Sequence, residues 1–154
     1  MWIMRATYRT THEPIDVGVL ETHGVIYRYL GTDPVTYQPV LDELKGRRGY
    51  HTQDTIELTP QTPNLEAALK KFDAEHTHDD DEVRFVLSGA GVFDIRGADE
   101  RWMRVVVEAG DLIVVPAGMN HRFELTADKS MHCVRLFKDA AGWVPRYREV
   151  SPPG

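Results

Sequence analysis

Apolar residues follow two different rhythms along this chain: helical spacing is confined to the first half and strand-like alternation dominates the second. Val25-Ile26-Tyr27-Arg28-Tyr29-Leu30 reads as a strand, ended by Gly31 and the turn-prone pair Asp33-Pro34. The rest of residues 1–35 reads as further short strands broken by turns. Val40, Leu41 and Leu44 share one face of a helix over 39–45, which Gly46 can close. Residues 50–58 alternate as a strand, and Pro60 and Pro63 then interrupt the chain. Asn64 is placed to cap a helix whose Leu65, Ala68, Leu69 and Phe72 form an apolar stripe. That stripe is expected to be core packing.

From residue 76 onward the pattern is almost entirely β. Residues 83–87, 92–95, 103–107, 112–115, 122–125 and 131–137 are the expected strands. Gly89, Gly91, Gly110 and Gly118 punctuate them, and the polar stretch 96–101 reads as a hairpin loop. Many short strands separated by glycine-rich turns indicate an all-β sandwich or barrel with a few helices near the front. One domain spans 1–154, with strands and short helices over 1–72 and a β core over 73–147.

At 154 residues the chain can bury a sizeable core. A net charge of −6 without any Lys/Arg block argues against nucleic acid or an anionic membrane as the partner. The single cysteine, Cys133, excludes an internal disulfide framework and fits a reducing, cytoplasmic setting. Charge interrupts Met1-Trp2-Ile3-Met4 at once, which is unlike a signal peptide, and no apolar run approaches the ~18–20 residues of a membrane-spanning helix. A monomer or small homo-oligomer is expected.

The chemistry concentrates in Glu75-His76-Thr77-His78-Asp79-Asp80-Asp81-Glu82, with His121 downstream. On an extended strand His76 and His78 point the same way, and Glu82 shares that face if the strand or a tight turn carries through. Two imidazoles and a carboxylate suit a redox-active divalent ion such as Fe(II). With His121 the set becomes three histidines and one carboxylate, leaving two octahedral positions open for substrate or dioxygen. The intervening acids either favour the cation or form a solvated loop. His12, His23, His51 and His132 have no partner spacing and read as ordinary surface or strand residues. No HExxH motif, P-loop or nucleophile elbow occurs.

His76-x-His78-x-x-x-Glu82 followed by Gly89, and Gly110, Pro116, Gly118 and His121 further on, resemble the two motifs of the cupins. The second departs only at Leu125, where asparagine is usual. The resemblance implies a jelly-roll barrel, a double-stranded β-helix, that closes around an interior cavity. More narrowly, residues 71–78, 80–85, 110–118, 121–123, 135–137 and Gly142-Trp143-Val144-Pro145 resemble the acireductone dioxygenases, strongly over about residues 50–147 and weakly before.

That resemblance implies one Fe(II) or Ni(II) per chain, held by His76, His78, Glu82 and His121. It implies an anionic enediol-ketone substrate (1,2-dihydroxy-3-keto-5-methylthiopentene) cleaved by O2 in methionine salvage. With iron the products are formate and a 2-keto acid; with nickel they are carbon monoxide, formate and a shorter carboxylic acid. Arg84, two residues past Glu82, is expected to face the same interior and to neutralise the substrate anion, or else to pair with a nearby acid. Arg135 joins it as a catalytic candidate. Phe85, Phe123 and Trp143 are assigned to the substrate pocket, with core packing as the alternative for the aromatics. Two other functions compete: a related dioxygenase acting on another enediol or a β-diketone, and a non-catalytic ligand-binding cupin.

Overall fold

A computed structural model describes residues 6–97, 99–138 and 145–147. In chain order the elements are β1 (Ala6–Tyr8), α1 (Val17–Thr22), β2 (Ile26–Tyr29), α2 (Pro34–Arg48), β3 (Thr52–Leu58), α3 (Leu65–Asp73) and β4 (His76–Thr77). They continue as β5 (Glu82–Arg96), β6 (Trp102–Glu108), β7 (Asp111–Val115), β8 (His121–Leu125), β9 (Met131–Phe137) and β10 (Arg146–Tyr147). The strands pair antiparallel in two arcs that share β5. One arc runs β1-β6-β5-β8-β4-β10, the other β2-β7-β5-β9-β3. This is the cupin barrel, and three N-terminal strands complete its two arcs.

β5 departs from the expectation of two strands separated by a glycine turn. It is a single strand of 15 residues that bends, with a register shift between Val86 and Ser88, and so passes from one arc to the other. Gly89 permits the bend. Its φ is +79°, and an added Cβ would lie 2.1 Å from the Ser130 carbonyl oxygen, so only glycine lets β9 approach this closely.

Burial follows the pleat. β6 alternates buried and half-buried residues, as a strand with one solvated face must. β7 is buried at every position, because Ile113 and Val115 point into the barrel while Leu112 and Val114 point outward beneath α2. The interior cluster includes Val86, Phe93, Ile95, Ile113, Phe123 and Cys133; the outer cluster gathers Leu41, Tyr50, Val83, Phe85, Val134 and Leu136. Leu41 is fully buried and anchors α2, worth roughly 1.5–3 kcal/mol by transfer.

α2 starts earlier than its apolar spacing suggests. The Asp33 carboxylate accepts a hydrogen bond from Val35 N at 3.0 Å and Pro34 occupies the first turn, so Asp33-Pro34 opens a helix there. Pro39 lies inside it, Gly46 does not end it, and Gly49, at φ +74°, closes it. α1 replaces one of the expected strands; it is a short helix tied down by the buried Leu20. Asn64 precedes α3 in the left-handed region and makes no side-chain cap.

Candidate metal centre

The barrel geometry gathers the four sequence candidates. His76 and His121 are cross-strand partners between β4 and β8, and His121 also pairs with Ile95 of β5. His78 lies just past the end of β4, and Glu82 opens β5 after a turn, so the chain from His76 to Glu82 is not one continuous strand. All four are buried. Ring centroids stand 4.8 Å apart for His76–His78, 4.4 Å for His76–His121 and 5.2 Å for His78–His121. One nitrogen from each of the three rings lies within 4.8 Å of those of the others, close enough for all three to bind one ion. Glu82 places Oε2 at 2.8 Å from His121 Nε2 and Oε1 at 3.2 Å from Arg84 Nε.

The tautomers suit a cation. His76 Nδ1 lies 2.7 Å from the Ala74 carbonyl and His121 Nδ1 lies 2.9 Å from that of Met119. A carbonyl only accepts, so each Nδ1 carries a proton, and at His76 the Nε2 lone pair is left facing inward. His76 Nε2 is buried without a hydrogen-bond partner among the described residues, an arrangement that costs free energy unless an electron-pair acceptor sits opposite. At His121 a lone pair would face the Glu82 carboxylate at 2.8 Å unless a proton or a cation lies between them. Three imidazoles with a carboxylate beside them are a donor set that suits a borderline divalent transition ion.

Electrostatics prepare the same donor set. Burial, reinforced by His121, pushes the His76 imidazole down to about 4, so it is neutral and able to ligate at neutral pH. Burial opposes the charge on Glu82, but the Arg84 guanidinium and the His121 contact overcome it and hold the carboxyl well below the usual range. Arg84 is likewise disfavoured by burial and kept charged by Glu82 and Cys133.

The remaining candidates separate. Arg84 is buried, donates to Glu82 and, at 3.4 Å, to Cys133 Sγ, and stands over the Phe123 ring at 5.3 Å. The nearby acid that it meets is Glu82 itself. Phe123 lines the same interior, packed on Phe93 at 5.0 Å. Phe85 does not: residues 82 and 84 face inward, so 85 faces outward, where it packs on Tyr37 at 4.5 Å. Its assignment to the pocket is corrected by this alternation. Arg135 is the cross-strand partner of Arg84 but is half-buried, forked onto Asp54 at 2.8 and 2.7 Å. Trp143 lies outside the described residues. Sequence reasoning missed the contact of Cys133 with Arg84, which only the β5–β9 register brings about.

A cupin barrel carrying a buried three-histidine cluster able to hold a metal ion is the class that this fold and site define. The model of the ARD/ARD' family matches residues 8–145, and the chain belongs to that family. It is 46% identical over 142 residues to an acireductone dioxygenase of Heterostelium pallidum, covering 92% of this chain and 96% of that protein. An acireductone dioxygenase of Dictyostelium discoideum is 42% identical over 138 residues, covering 90% and 94%. Among solved structures, an acireductone dioxygenase from Bacillus anthracis with a cadmium ion in its active centre superposes with a TM-score of 0.84 at 32% identity, over 92% of this chain and 96% of that one. Among the described residues no helix is long and apolar enough to cross a membrane.

Proposed function

We propose that this chain is an acireductone dioxygenase that holds one Fe(II) or Ni(II) through His76, His78, Glu82 and His121 and cleaves an anionic enediol-ketone with O2. The observation that carries the reading is the convergence of three buried imidazoles, two with Nδ1 anchored to a backbone carbonyl, beside a carboxylate kept ionised in the barrel interior. The names of the relatives support the substrate class. Methionine salvage as the pathway and a cytoplasmic location rest on the family resemblance and on the single cysteine.

The chemistry that a bound ion supplies is charge stabilisation of the enediolate together with redox reactivity toward oxygen. The protein's own residues do the rest. Glu82 and the three imidazoles, all buried, would hold the ion. Arg84 fixes one oxygen of Glu82 and puts a permanent positive charge beside the centre, where an enediolate gains from it. Phe123 packs its ring against the Arg84 guanidinium in the same interior. Arg135, the half-buried cross-strand partner of Arg84, is the second cation assigned to the substrate anion. Metal analysis tests the ligand set. Wild-type protein should carry one equivalent of Fe(II) or Ni(II), and a His76→Ala, His121→Ala variant should carry almost none; full loading of that variant would refute it.

A further inference from the structure

Of the acids between His78 and Glu82, Asp79 meets Arg146 at the surface, whereas Asp81 is drawn inward by three donors from two other parts of the chain. Its Oδ2 accepts from the Tyr50 hydroxyl at 2.5 Å and from Arg48 Nη1 at 3.0 Å; its Oδ1 accepts from Ala117 N at 2.9 Å. Ala117 belongs to the turn that delivers His121. A second bond, from Gly118 N to the His78 carbonyl at 3.0 Å, joins the same turn to the same ligand loop. Arg48 ends α2, and Tyr50, which is buried, lies in the outer core.

We propose that Asp81 is a positioning residue of the metal centre: through Ala117, Tyr50 and Arg48 it fixes the loop that carries His78 and Glu82 against the turn that carries His121. This rests on reading those residues as ligands, and it adds what sets the spacing between the two halves of the site. The ligands come from short or irregular segments, since β4 has two residues and His78 lies beyond it, so regular pairing alone does not hold them in register. A carboxylate with two oxygens can receive all three donors at once, and the side chain of Asp81 sits directly before Glu82. Groups that orient ligands in this way typically change metal affinity by about 10–100-fold when removed.

The test uses Co(II)-loaded full-length protein and measures three things: stripping of the ion by a chelator, the visible Co(II) spectrum and the melting temperature of the metal-free form. Wild type must first bind one Co(II); if it does not, the ligand reading fails and the positioning role of Asp81 falls with it. Asp81→Ala should lose Co(II) about 10–100-fold faster than wild type and show an altered spectrum. Asp81→Asn, which keeps one acceptor for Ala117 N, and Tyr50→Phe, which removes one arm, should each be accelerated severalfold. A merely structural aspartate would lower the metal-free melting temperature while leaving stripping rate and spectrum at wild-type values, and that result would overturn the proposal. If Asp81→Ala does not fold, the two milder variants decide: wild-type stripping rates in both would overturn it.

Discussion

Replacing Arg84 by Met in the metal-free protein should expose how the interior charges depend on one another. Glu82 and Arg84 are 1% and 4% exposed, and Nε lies 3.2 Å from Oε1. Removing the guanidinium leaves a desolvated carboxylate without its principal cation, while methionine fills much of the space among Phe123 and Cys133. Breaking a buried pair from one side costs about 3–5 kcal/mol. At about 2–4 °C per kcal/mol for a domain of this size, the melting temperature should fall by roughly 6–20 °C. The cost is the stranded charge and not lost packing, so Glu82→Gln in the same background should restore most of it. Urea unfolding of wild type, both single variants and the double variant at pH 7 gives the coupling energy, expected on the order of 2–3 kcal/mol. An Arg84→Met variant within about 1 kcal/mol of wild type, or a double variant no more stable than Arg84→Met alone, would refute the reasoning.

Two further outcomes follow from the site. His76 titrates at 6.5 when unfolded and at about 4 when folded, so as pH falls through that window the unfolded chain takes up the proton first and metal-free stability declines, by about 3 kcal/mol in all. Glu82 adds a further loss only below about 4.5, and urea midpoints that stay flat from pH 7 to pH 5 would contradict the burial of a neutral His76. Arg135→Ala should cut kcat/KM by about 10-fold or more with metal content unchanged, because its half-exposed pair with Asp54 contributes no more than about 1 kcal/mol to stability. Unchanged kinetics would confine Arg135 to that pair.

The three histidines that cluster were legible because two short motifs carry them, and the β pattern from residue 76 onward was legible because its apolar runs are bounded by glycines. Strand alternation, applied one position further, would also have put Phe85 outside the barrel. Other features have no local signal. A glycine reads equally as a turn or as a point of close backbone approach, and at Gly89, just past the register shift between Val86 and Ser88, the approach of Ser130, remote in sequence, decides for the latter. α1 owes its form to burial of Leu20 more than to propensity. Asp81 looked like one acid among several because Arg48, Tyr50 and Ala117 meet it only in the folded chain.

The central claim is that a metal held by these four residues turns over an acireductone. Protein reconstituted with Fe(II) under anaerobic conditions, then given an acireductone and a known amount of O2, tests it in one assay by oxygen uptake and formate release. The account predicts equimolar consumption of O2 and substrate with one formate formed per turnover, and loss of both in His121→Ala, whose ring joins β8 to Glu82. Wild-type protein that carries one equivalent of iron yet consumes no O2 with the acireductone, or a His121→Ala variant that consumes it at the wild-type rate, would contradict it.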